Sequence, residues 1–71
     1  MASACPPGKS SWPELMGTIG EEAAARIMLE RPFVRAYPIR VGSSVTPGFH
    51  CDRVLVWIDP NHVVIKIPTI G

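Results

Sequence analysis

Histidine and cysteine are scarce in this chain, with two of each in 71 residues. The cysteines, Cys5 and Cys51, make no C-x-x-C spacing. That excludes a structural zinc knuckle and a thioredoxin-like redox pair. His50 adjoins Cys51, but neighbours on an extended chain point to opposite faces, so the two do not form a catalytic pair. His62 sits beside Asn61 with no second metal ligand near it in sequence. Gly17 and Gly20 follow no strand, which excludes a phosphate loop. Ser43, Ser44 and Thr46 have no evident base. These gaps predict a protein that is not an enzyme and carries no metal and no cofactor. Charge of one sign is lacking too. Seven Lys/Arg against six Asp/Glu give a net +1, too balanced for nucleic-acid binding. Arg31, Arg35 and Arg40 are read as solvated surface. The longest run of large apolar residues is Val54–Ile58, far too short to span a membrane. The opening MASACPPGKS has no apolar stretch of signal-peptide length. No repeat, linker or low-complexity segment appears.

What is present is a folded globule. Apolar residues make up 46% of the chain, and the length allows one domain, residues 1–71. So short a chain has a marginal core and gains from a staple. Cys5 and Cys51 either supply one or remain two free thiols. A bridge spanning them would stabilise by roughly 4 kcal/mol on the loop-entropy account and would imply an oxidising compartment.

Residues 1–11 read as irregular. In SWPEL, Ser11 and Glu14 flank Pro13, which suits one short helical turn with Trp12 and Leu15 facing inward. A helix is predicted over 18–31. Thr18 and Glu21 form a T-x-x-E capping box, Ala23, Ala24, Ile27 and Met28 make an apolar face, and Pro32 ends it. Residues 33–41 read as a strand that Pro38 confines to an edge. Residues 52–59 alternate Val54, Val56, Ile58 against Arg53, Leu55, Trp57. Both sets are largely apolar, which predicts a central strand. Residues 59–62 make a turn, and 63–68 are predicted to return as an antiparallel strand. The fold class is α+β, with one helix packed on a small mixed sheet.

Between the first two strands lies the loop Gly42–Cys51. Parallel neighbours need a long connection, normally helical. A long, non-helical connection in so small a domain is the segment most suited to binding.

The whole pattern resembles the potato inhibitor I family of serine-protease inhibitors. CPPGKSSWPELMG, with Lys9, Trp12, Pro13, Glu14 and Leu15, is similar to the family's N-terminal signature. The helix GEEAAARIMLE, the strand ending Val41-Gly42, the segment VTxxFxCDRV and the tail IPTIG also fit. The resemblance implies that the loop is a substrate mimic, cleaved very slowly. Val45, Thr46, Pro47, Gly48 and Phe49 would form the protease-binding loop, with Pro47–Gly48 the scissile bond. Arg53 would prop the loop from beneath. Two cysteines at these positions resemble the disulfide-bearing branch, where a Cys5–Cys51 bridge supports the loop. The implied partner is a subtilisin-, elastase-, chymotrypsin- or trypsin-like serine protease, met by a monomer. A secreted or vacuolar setting and a role in plant defence and the response to wounding go with it.

The sequence departs from the family at three loop positions. Pro47 stands where a pocket-filling side chain is usual, and it lacks the N–H that such inhibitors donate. An acceptor left unpaired would cost roughly 1–3 kcal/mol. Gly48 replaces an acidic or amide side chain that braces the loop in relatives. Leu55 stands where many relatives carry a second supporting arginine. The expectation is weak inhibition of trypsin and chymotrypsin. The alternative is an inhibitor fold that has lost inhibition and serves in storage, antimicrobial action or interaction.

Overall fold

The structure is a computed structural model that describes residues 8–45 and 48–71. A short 3-10 turn, Pro13–Leu15, precedes helix α1, Gly20–Glu30; strands β1, Arg35–Arg40, and β2, Arg53–Ile58, follow. β1 and β2 pair in parallel, with Arg35 opposite Arg53, Tyr37 opposite Leu55 and Ile39 opposite Trp57. Pro38 lies on β1, which pairs with β2 on one side only among the described residues, so its missing N–H is tolerated.

One core fills the space between helix and sheet. It comprises Trp12, Leu15, Ala23, Ala24, Ile27, Val34, Ala36, Val54, Val56, Ile58, Val64 and Ile70. The helix gives Ala23, Ala24 and Ile27 to it, and small alanines let the helix approach the sheet closely. Met28, expected on that face, is instead 40% exposed. Three residues advance a helix by about 300°, so Ala24, Ala23 and Ile27 make a narrow stripe and Met28 falls at its margin.

The predicted capping box does not form. The residue at the helix N-cap is Ile19, with no side-chain cap bond. Thr18 Oγ1 donates to Leu15 O at 2.7 Å. The reason lies in the return segment: Gly17 N donates to Val64 O and Val64 N to Thr18 O. That exchange sets Ile19 in an antiparallel bridge with Val63 and leaves Thr18 in the bend before the helix, its N–H donating to Leu15 O. The orphan N–H of Gly20 is satisfied by His62 O at 2.8 Å instead. His62 can offer that carbonyl because the turn before it is well built. Asp59 Oδ1 accepts from the amides of Asn61 and Val63, and His62 takes φ +68°.

Two further expectations are corrected. The segment 63–68 is not a continuous strand; it touches the fold through isolated antiparallel bridges, Ile58 to Val64 and Ile19 to Val63. β2 is not buried on both faces. Val54, Val56 and Ile58 are buried, whereas Arg53, Leu55 and Trp57 are only half-buried. Among the described residues, no third layer covers that outer side.

Candidate functional site

The tail and the start of β2 form a rooted base for the loop. Ile70 N donates to Ser10 O, and Trp12 N donates to Pro68 O. Ser10–Trp12 therefore clasp the tail. Gly71 N donates to Arg53 O at 2.9 Å, which fixes the tail against the first residue of β2. The N-terminal segment is itself tied to the helix end. Arg31 Nη1 donates to Lys9 O at 2.6 Å, and Trp12 Nε1 donates to Glu30 Oε1 at 3.0 Å.

Onto this base Arg53 adds a fork. Its Nε donates to Gly71 O at 2.7 Å and its Nη2 to Gly48 O at 2.8 Å. One planar guanidinium thus joins a carbonyl of the tail to a carbonyl of the loop, both bonds being charge-assisted. The backbone agrees, since Arg53 N donates to His50 O at 3.2 Å. Loop, strand and tail converge on one residue.

Above the fork the loop is exposed. Val45, Gly48, Phe49 and His50 all face solvent, and Cys51 at the foot is half-buried. Gly48 adopts φ +108°, a region that L side chains rarely enter. Reading Gly48 only as a lost acidic brace missed this; its own backbone turn is what presents the carbonyl to Arg53. A Cβ added at Gly71 would lie 3.7 Å from the Phe49 ring, so the ring rests beside the tail. Thr46, Pro47 and Cys5 lie outside the described residues. Leu55 is half-buried on the outer face of β2, opposite Tyr37.

Gly71 as a partner of Arg53 was not visible in the sequence. IPTIG gives no local signal that its last carbonyl will meet a side chain 18 residues earlier. Only the parallel pairing and the antiparallel bridge between Val54 and Ile70 bring them together.

Comparison with known proteins places this geometry. Residues 4–71 match the potato inhibitor I family. A Glu S. griseus protease inhibitor of Momordica charantia is 52% identical over 64 residues, covering 90% of this chain and 94% of its own. The protease inhibitor HPI of Hevea brasiliensis is 45% identical over 71 residues, the full length of both. Among solved structures, the crystal structure of bitter gourd trypsin inhibitor superposes with a TM-score of 0.89 at 52% identity, covering 97% of this chain and 100% of that one. A match over residues 4–71, joined to a superposition over 97% of the chain, leaves one assignment: the chain belongs to the potato inhibitor I family.

Proposed function

We propose that the chain is a serine-protease inhibitor, not an enzyme, that presents Val45–Phe49 to the protease as a substrate-like strand with Pro47–Gly48 at the scissile position. The observation that carries this reading is the Arg53 fork, which ties the carbonyl of Gly48 to the tail. A loop held at its foot loses little entropy on binding, so more contact energy appears as affinity. After cleavage the same fork would keep the new amino-terminal side of the break in place, favouring religation over release.

The target is a protease whose primary pocket accepts a small ring, of subtilisin or elastase type. A trypsin pocket asks for a cation and a chymotrypsin slot for a larger side chain. Relatives from different plants differ in the target their names carry, a Glu S. griseus protease for the one from Momordica charantia and trypsin and Hageman factor for one from Cucurbita maxima. That difference supports specificity set by loop residues on a common frame. A Cys5–Cys51 bridge belongs to the proposal, with the oxidising compartment it implies and a role in plant defence and wounding. It is supported by the lack of a free thiol among the described residues. Unreduced mass should fall two hydrogens short of the dithiol chain; a full dithiol mass after oxidative folding removes the bridge.

The deciding experiment is a titration of subtilisin, elastase, trypsin and chymotrypsin with the wild type and with Pro47→Lys. The wild type should inhibit subtilisin or elastase and bind trypsin weakly. Pro47→Lys restores both an N–H and a cation, and should tighten trypsin binding by orders of magnitude, several kcal/mol. Rapid digestion of Pro47→Lys at residue 47 would defeat the proposal and favour a scaffold that no longer inhibits.

A further inference from the structure

The loop has a second side. Beneath it, on the outer face of the sheet, Arg35, Tyr37, His50, Asp52 and Arg53 line an open recess of about 280 Å³. The recess follows from register. Parallel pairing sets Arg35 directly opposite Arg53, and both side chains lie on the face away from the core. Like charges placed opposite each other are destabilising. Arg53 directs its Nε and Nη2 to Gly71 and Gly48. Arg35 makes no ion pair and no side-chain hydrogen bond among the described residues. The Tyr37 hydroxyl has no partner among them either. A guanidinium, a phenol and an imidazole thus line the recess beside a second guanidinium, with one carboxylate among them.

We propose that this recess binds a tetrahedral oxyanion that keeps a proton at neutral pH, namely hydrogen phosphate. Guanidinium groups match such oxygens in a fork geometry. Bound between Arg35 and Arg53, the anion offsets their repulsion. Asp52 decides which oxyanion is accepted. An ionised carboxylate only accepts hydrogen bonds. Hydrogen phosphate can donate its proton to Asp52, whereas sulfate has no proton to give and meets the carboxylate as a like charge. The site does not depend on the inhibitory reading; it needs only the strand register and the side chains that face the recess.

The experiment is a titration of the intact protein with sodium phosphate, sodium sulfate and sodium chloride at matched ionic strength. The His50 ring and the Arg35 side chain are followed by NMR, and heat by calorimetry. Phosphate should give saturable shifts centred on residues 35, 37, 50 and 52, with sulfate at least about tenfold weaker and chloride without saturation. Arg35→Gln should weaken phosphate about tenfold or more, the loss expected for one charge-assisted hydrogen bond. Asp52→Asn should raise sulfate affinity and erase the preference. Both positions are exposed, so the fold should persist, and the wild-type ranking of the three anions decides the matter without either variant. Equal responses to all three salts, or phosphate binding unchanged in Arg35→Gln, would overturn the site.

Discussion

The two faces of the parallel pair are made from alternate residues of the same strands, yet they have different fates. The inner face carries Ala36, Val54, Val56 and Ile58 into the core. The outer face sets Arg35 beside Arg53, Tyr37 beside Leu55 and Ile39 beside Trp57, and all of them retain exposure. Stability is concentrated on one side of the sheet, which leaves the other free to carry charge and loop support. A protein this small cannot cover both faces with the one α-helix of its described residues, because that helix has a single apolar stripe.

The two tryptophans give the largest test of that contrast. Trp12 is fully buried, and its Nε1 is bonded to Glu30. Trp57 lies on the outer face with Lys66 Nζ 5.4 Å from its ring centroid. Trp12→Ala removes core volume and the hydrogen bond to Glu30, and should cost about 3–5 kcal/mol, a large part of a small domain's total. Trp57→Ala loses partial burial and an exposed cation–π contact, and should cost about 1 kcal/mol. Urea unfolding of both variants would show it. Equal losses would mean that the outer face is as much a core as the inner one.

Arg53→Ala comes next. It removes the charge-assisted bonds to Gly71 and Gly48, a hydrogen bond to a charged group being worth about 1.5–3 kcal/mol. The loss should be local in character. Amide exchange at residues 48–51 and hydrolysis of the loop should accelerate well before the core amides respond. Uniform acceleration across helix and strands would show that Arg53 supports the whole fold and not the loop in particular.

A smaller effect is expected at Gly20, where the start of the helix lies close against the sheet. A Cβ there would stand 2.5 Å from Ile58 Cγ2 and 3.1 Å from Pro38 Cβ. Ile58 is branched and buried, so it cannot simply swing aside. Overpacking of about 1–3 kcal/mol outweighs the gain of roughly 1 kcal/mol in helix propensity. Gly20→Ala should therefore be destabilising by about 1 kcal/mol in the same urea series, and a stabilised variant would show that the inner layer has slack.

How much of this could be read in advance depends on whether the cause was local. The helix, both strands and the 59–62 turn were legible because periodicity and turn chemistry act over a few residues. The capping box failed because Val64, far along the chain, claims the backbone of Thr18. β2 does stand between β1 and the bridges from Val64 and Ile70, but burial of both its faces failed because alternation reports polarity and not what lies above a face. At the candidate site, the resemblance pointed to Arg53 as a support, but its bond to Gly71 and the opposition of Arg35 arise from tertiary register. Gly48 was read through its missing side chain, when its positive φ is the larger fact.

The smallest predicted effect lies in the N-terminal segment, where Lys9 pairs with Glu14 and lies 3.4 Å from Glu30. The hydrogen bond and ion pair with Glu14 raise the Lys9 amine above its ordinary 10.5. The same contact with Lys9 holds the Glu14 carboxyl below its ordinary 4.5. A lowered carboxyl stabilises the fold above its unfolded value, and that contribution is lost as pH falls through the folded one. A raised amine stabilises below its unfolded value, and that contribution is lost as pH rises through the folded one. The wild type should therefore exceed Lys9→Met by a near-constant margin between about pH 5 and pH 10, with the margin shrinking in acid below 4.5 and in alkali above 10.5. Both side chains are more than 40% exposed, so salt should screen the margin as well. Urea unfolding of the two proteins at pH 3, 7 and 11.5, in low and high salt, would measure it. A margin that is unchanged at pH 3 would mean that Lys9 acts through its contact with the Trp12 ring, 5.9 Å from the centroid, and not through Glu14.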